Sequence, residues 1–231
     1  MVLQANIGWT IEHASPVGPQ VYRILRERII HADLVPGSRI SEAEIARTFA
    51  LSRQPVREAF IKLSEEGLVE VRPQRGTLVR RISQEAVMDA RFVREAIEAD
   101  IVKLLAAGCA RGVVAELRSL IAQQKAVHET EPDRFLKLDE LFHRTMADAA
   151  GKSYAWDVIE AVKAQMDRVR YLSFLHFPMP KLVDQHNAVV DAIDSGDVAA
   201  ADLAIRDHLR EILTGLPAIA LAHPEFFETA G

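Results

Sequence analysis

The sequence predicts a mostly α-helical protein in two parts: a small N-terminal module closing on a two-stranded hairpin, and a longer all-helical body. Three observations carry this. Apolar residues recur at three- and four-residue spacing over most of the chain. One stretch, "LVEVRPQRGTLVRRI" at 68–82, instead reads as two short strands around a turn. Charge also divides the chain there: residues 20–82 hold 12 of the 28 Lys/Arg and 8 of the 33 Asp/Glu, a net +4, and the remainder is −9. A basic module on an acidic body points to a polyanion at one end, although clustering on solvated faces gives the same count.

Composition narrows the class. Aromatic residues make up only 6%, so the core must rest on Leu, Ile, Val and Ala. Cys109 is the single cysteine, which excludes an internal disulfide and any multi-cysteine zinc site. No apolar run reaches the ~18 residues of a membrane span. The opening "MVLQANIGWTIEHASP" lacks the basic start of a signal peptide, so a soluble, cytoplasmic protein is expected.

Residues 1–15 show little periodicity and read as an arm. "PQVYRILRERII" follows, with Val21, Ile24, Leu25 and Ile29 on one helical face, and Pro36-Gly37 is a turn. "SEAEIARTFA" begins with Ser41 and Glu44 in the spacing of a capping box, and Ser52 is the next N-cap. The helix "RQPVREAFIKLSEEG" ends at Gly67, which suits a C-cap. Beyond the hairpin, helices are expected over 84–108, 113–128, 133–150, 153–175, 181–194 and 198–214, broken by Pro, Gly and Ser signals. Six helices on short loops read as an antiparallel bundle. The tail, "LPAIALAHPEFFETAG", has two prolines and no persistent period.

Helix, turn, capped helix, short turn, capped helix, hairpin is the order of a winged helix-turn-helix. The stretch "SRQPVREAF" then has a clear use. Recognition helices enter the DNA major groove by their N-terminal end. Pro55 sits in the first turn, where a missing N–H costs nothing. Arg53 and Arg57 are four apart on one face and suit guanine edges or phosphates; Ser52 and Gln54 add hydrogen-bonding groups. In the hairpin loop "RPQRGT", Arg72, Arg75, Gly76 and Thr77 form a wing tip suited to the minor groove or the backbone. Any one of these arginines alone is as readily a solvated surface residue. The ordered combination is more specific.

The segment "GSRISEAEIARTFALSRQPVREAFIKLSEEGLVEVRPQRGTLV" resembles the DNA-binding domain of GntR-family transcriptional regulators over about residues 20–82. The resemblance implies that Arg53, Arg57 and Gly76 contact operator DNA. Two positions depart from the family pattern: Ala43 stands where many relatives carry arginine, and Gln54 replaces a common threonine. The family's operator preference therefore does not carry over.

In the bundle, Asp139 and His143 of "LDELFHRTM" are i,i+4 and share a helix face, and His186 and His208 fall mid-helix among apolar residues. One carboxylate and three imidazoles suit Zn, Ni, Mn or Fe. Taken singly, each histidine is as well read as a satisfied core residue. No P-loop, HExxH, GxSxG or GxGxxG pattern occurs. "VREAIEADIVKLLA", "LDELFHRTMADAAG" and "QHNAVVDAIDSGDVAAADLAIRDHL" are similar to the FCD effector domain of the FadR subfamily. That resemblance implies a divalent metal, zinc first, on Asp139, His143, His186 and His208, a homodimer, and a small carboxylate effector. Sugar acids, hydroxy acids and dicarboxylates are the family's usual kinds, and fatty acyl-CoA is disfavoured. Arg94 and Arg91 are candidates for an effector carboxylate, and Arg94 equally suits an i,i+4 pair with Glu98.

The expected organisation is an arm at 1–15, a winged helix-turn-helix at 16–82, an FCD-type bundle for effector binding and dimerisation at 83–217, and a tail at 218–231. The expected function is a ligand-responsive, non-enzymatic transcriptional regulator. The alternative is a metal-dependent enzyme acting on a small carboxylate.

Overall fold

The computed structural model describes residues 10–12, 14–72, 76–108, 111–128, 130–173 and 179–229. The chain divides into two compact units. One ends at Gln84 and takes in the residues from Ala220 on; the other runs from Glu85 to Ile219.

In the first unit, α1 (Val17–Ile30) packs on α3 (Arg53–Glu65), with α2 (Glu42–Thr48) against the same α3. The periodic residues do what their spacing predicts: Val21, Ile24, Leu25 and Ile29 of α1 and Val56, Phe60 and Leu63 of α3 are all buried. Truncating Phe60 to alanine removes the largest side chain of this small core and costs about 3–5 kcal/mol. At the end of α3, Gly67 takes φ +69°, and Leu68 N–H donates to Leu63 O at 2.9 Å, closing the helix and burying Leu68. Ser41 and Ser52 stand at the N-cap positions of α2 and α3, yet neither side chain makes the capping bond. Glu42 and Glu44 in the first turn of α2 still complement its dipole. Between α2 and α3 the turn holds Ala50 at φ 53°, a left-handed conformation that costs a non-glycine residue about 1–2 kcal/mol.

The hairpin is formed by β2 (Val69–Arg72) and β3 (Gly76–Val79), antiparallel with Val69 opposite Val79 and Arg72 opposite Gly76. The sheet has a third strand that the periodicity did not predict, β1 (Arg39–Ile40), so its order is β1-β3-β2. Two residues are too few to show an alternating pattern. Far along the chain, Ile82 N–H donates to Phe226 O at 2.8 Å and Glu228 N–H to Ile82 O at 3.0 Å. The expected tail is therefore ordered here, with Phe227 buried.

The described elements of the second unit are all helices: α4 (Gln84–Gly108), which starts one residue before it, α5 (Arg111–Lys125), α6 (Pro132–Ala149), α7 (Ser153–Val162), α8 (Ala164–Ser173), α9 (Met179–Ser195) and α10 (Val198–Ala222), which ends three residues after it. Helix α5 packs against α6 and α9, and α7 against α6 and α8. Leu117, Phe135, Phe142, Trp156, Val189, Val190 and Ile205 lie fully inside the common core. Two boundaries differ from expectation. The single helix over 153–175 is broken at Lys163, whose buried ammonium pairs with Asp167 at 2.8 Å and Glu140 at 3.3 Å. No proline or glycine marks that break; the pair with Glu140 of α6 is tertiary, and that with Asp167 is i,i+4. Helix α10 continues through Pro217 to Ala222 instead of stopping at 214. Proline there forgoes a single backbone bond, which the surrounding packing tolerates.

Candidate functional site

Helix α6 carries Asp139 and His143 one turn apart, α9 carries His186, and α10 carries His208. The structure brings all four together, each buried, with one ligand-type atom from each lying within 4.8 Å of the others. His143 Nε2 is 3.2 Å from His208 Nε2, and His186 Nε2 is 3.3 Å from His208 Nε2. Asp139 Oδ1 stands 3.5 Å from His186 Nε2 and has no hydrogen-bond partner among the described residues. Its other oxygen, Oδ2, accepts from the Arg170 guanidinium.

The outer partners decide where the ring protons sit. Gln124 Nε2 donates to Leu138 O at 3.2 Å, so its Oε1, 2.7 Å from His186 Nδ1, must accept. Gln185 Nε2 donates to Glu211 Oε2 at 3.0 Å, so its Oε1 accepts from His208 Nδ1 at 3.2 Å. His143 Nδ1 lies 2.6 Å from Glu98 Oε2, a carboxylate that only accepts, although the two atoms are not aligned as a hydrogen bond. Each proton is thus assigned to Nδ1 by its partner, and three Nε2 lone pairs point at one another and at a carboxylate oxygen. Four acceptors with no donor among them repel unless a cation lies between, so the donor set fits a metal.

Electrostatics run the same way. Burial holds the His186 imidazole down at about 3 against the pull of Asp139, and burial with the neighbouring rings keeps His208 well below its ordinary value. Both stay neutral, as ligands must. Burial alone would raise Asp139; the adjacent Arg170 guanidinium overturns it and holds the carboxyl well below the usual range. Glu98 is likewise lowered to about 2, because Arg94 and His143 outweigh its burial.

Arg94 makes its i,i+4 pair with Glu98, Nε to Oε1 at 2.6 Å, while its Nη2 is buried without a partner among the described residues. It lines a cavity beside His208 and Arg170. Arg91 pairs with Glu95 and does not line that cavity. Sequence reasoning missed Glu98 as a histidine partner, Gln124, Gln185 and Arg170. Two glutamines carry no pattern of their own, and Arg170 comes from the helix whose boundary was misjudged.

In the first unit, Ser52, Arg53, Gln54 and Arg57 are exposed on the first turns of α3. Arg53 approaches Glu42 only at 3.7 Å, Gln54 donates to Glu58 at 3.0 Å, and Arg57 has no ion pair among the described residues. Arg72 pairs with Glu70 at 2.9 Å on the wing, and Gly76 begins β3 at φ +86°. Thr77 differs from expectation: it is buried in the sheet at 7% exposure and does not present its hydroxyl. Arg75 lies outside the described residues.

A winged helix-turn-helix joined to a helical unit with a buried donor cluster defines a class: DNA-binding regulators that carry a separate effector unit. Residues 18–79 match the bacterial regulatory proteins of the gntR family, and residues 89–211 match the FCD domain. The HTH-type transcriptional repressor RspR of Escherichia coli (strain K12) is 40% identical over 214 residues, spanning 92% of this chain and 94% of that one. A solved GntR transcriptional regulator from Rhodococcus sp. RHA1 is 26% identical with a TM-score of 0.68, covering 87% of this chain and 98% of the other. Escherichia coli McbR/YncC shares the fold at 15% identity, with a TM-score of 0.70 over 89% and 98% of the two chains. The chain belongs to the GntR family of bacterial regulatory proteins, with an FCD domain after its winged helix-turn-helix, and is a DNA-binding transcriptional regulator. Among the described residues, no helix is long and apolar enough to cross a membrane.

Proposed function

We propose that this regulator belongs to the FadR subfamily, binds operator DNA as a homodimer, and holds one divalent transition metal per chain. In this reading Asp139, His143, His186 and His208 ligate the metal, and a small carboxylate bound in the FCD domain modulates DNA affinity. The observation that carries the reading is the convergence of three lone-paired Nε2 atoms and a carboxylate oxygen with no partner among the described residues, all in a buried site. Three nitrogens and one oxygen favour zinc, with nickel, manganese and iron compatible. Bound there, the metal supplies a Lewis-acidic centre to which a carboxylate can coordinate.

The chain's own residues do the rest. Gln124, Gln185 and Glu98 fix the ring tautomers, Arg170 orients Asp139, and Arg94 offers an unused guanidinium N–H to an anion. On the DNA side, Ser52, Arg53, Gln54 and Arg57 meet the major groove, and Arg72 and Gly76 meet the adjacent backbone. A dimer places two such helices on the half-sites of a palindrome. The effector acts by binding one population of the regulator better than another, and it is sensed without being turned over.

Thermal unfolding of chelator-stripped protein, before and after adding Zn, Ni or Mn, tests the metal reading. At about 100 times its Kd a metal adds about 2.7 kcal/mol. The expected result is a clear rise in Tm for wild type and none for His208→Ala. An absent rise with every metal overturns the proposal.

A further inference from the structure

The cavity beside His208 says more about the acid than that it carries a carboxylate. It has about 60 Å³ of space, room for about four to six water-sized groups. Its walls are largely apolar: Met166, Leu182, Leu209, Ile212, Gly215 and Ile219. Away from the His/Asp cluster, the polar groups among the described residues that line it are committed to the protein. Ser173 Oγ donates to Arg170 O at 2.7 Å, and the Arg170 guanidinium spends one N–H on Asp139, which places its remaining donors at the cluster end of the cavity. His208 Nδ1 is bonded to Gln185. Glu211 receives Lys181 at 2.6 Å, Gln185 at 3.0 Å and Thr214 at 3.0 Å. Against these, Arg94 Nη2 is a buried donor with no partner among the described residues.

We infer that the effector is a short monocarboxylate with an apolar body of about four to six carbons, rather than a polyhydroxylated acid or a dicarboxylate. The inference rests on the carboxylate-effector reading above and narrows it. Arg94 and the neighbouring cluster take the single anionic head, while the aliphatic body fills the apolar walls. A hydroxyl on that body, away from the cluster, finds no free partner among the described residues, which weakens binding by about tenfold for each hydroxyl buried there. A second carboxylate meets the Glu211 end, where burial is outweighed by Lys181, Gln185 and Thr214 and the carboxyl is held below its usual value, hence ionised. Like charges there repel.

The experiment is a titration of the full-length, zinc-supplemented protein with acetate, butanoate, pentanoate, gluconate and succinate, read by thermal shift and calorimetry. Affinity is expected to rise about fourfold per added methylene from acetate to pentanoate, and pentanoate should bind at least tenfold tighter than gluconate or succinate. Equal or tighter binding of gluconate or succinate overturns the inference and leaves the carboxylate-effector reading standing. No binding by any of the five overturns both. Arg94→Gln risks the fold because it strands Glu98, so the variant of choice is the half-buried Ile212→Thr. It should weaken pentanoate several-fold, leave acetate little changed, and keep the metal content. Unchanged pentanoate affinity in that variant also overturns the inference.

Discussion

Gln124→Leu isolates the contribution of an outer partner to the metal site. Gln124 is 1% exposed, and leucine has nearly its volume, so no large cavity opens. Two bonds vanish: the donation to Leu138 O at 3.2 Å and the acceptance from His186 Nδ1 at 2.7 Å. Leu138 O, inside α6, keeps its helical bond, so His186 Nδ1 is the group left unpaired and the metal-free protein should lose about 1–3 kcal/mol. His186 also loses what fixes its tautomer. Once the proton can move to Nε2, one of the three inward lone pairs is spent. Loss of such an outer partner lowers metal affinity about 10–100-fold. Competitive zinc titration against a chromophoric chelator, with folding checked by circular dichroism, measures this. Gln124→Glu keeps the acceptor and should stay close to wild type in zinc affinity. Zinc affinity of a folded Gln124→Leu variant within twofold of wild type refutes the reasoning.

Arg53→Ala and Arg57→Ala should each weaken specific DNA binding by about 1–3 kcal/mol for a lost base contact, or mainly flatten the salt slope for a lost phosphate contact; both side chains are exposed, so stability should hold, and anisotropy titrations on a duplex selected from a random library decide it. Stability of the metal-free protein should fall with acidity. Because burial depresses His186 to about 3, the unfolded chain takes up a proton below about 6.5 while the folded chain does not. The contribution is therefore full above that pH and lost at up to about 1.4 kcal/mol per unit as pH falls towards 3, with Glu98 adding loss below about 4.5; a flat denaturation profile between pH 7 and 4 contradicts this. Arg94→Ala should destabilise by about 3 kcal/mol, since it leaves the buried Glu98 carboxylate facing only His143. A variant as stable as wild type in urea returns the pair to negligible weight.

Much of this was legible in the sequence, for physical reasons. Asp139 and His143 announce themselves because i,i+4 spacing forces a shared helix face, whatever the tertiary context. His186 and His208 are different. Their convergence depends on how α9 and α10 pack, which spacing alone does not set, and family resemblance supplied that link. Gln124 and Glu98 were invisible as histidine partners because a buried amide or carboxylate on a helix looks like any solvated one until the packing is known. The break at Lys163 escaped for a similar reason: lysine is a good helix former, and its pairing with Glu140 of α6 is a long-range matter. Pro217 misled in the other direction, since proline is a strong stop signal locally and tertiary contacts overrode it. In the first unit, Gly67 worked well as a signal because a left-handed residue at a helix end is a local requirement. Ser41 and Ser52 marked the helix starts without supplying the bonds expected of them.

The central claim is a metal held by four named side chains in the FCD domain. Elemental analysis of protein loaded with zinc and washed free of loose metal tests it directly, with wild type beside Asp139→Ala/His208→Ala and beside His128→Ala as a control outside the cluster. One zinc per chain in wild type and His128→Ala, and none in the double variant, is the predicted result. Equal zinc content in wild type and the folded double variant, or none in either, contradicts the account.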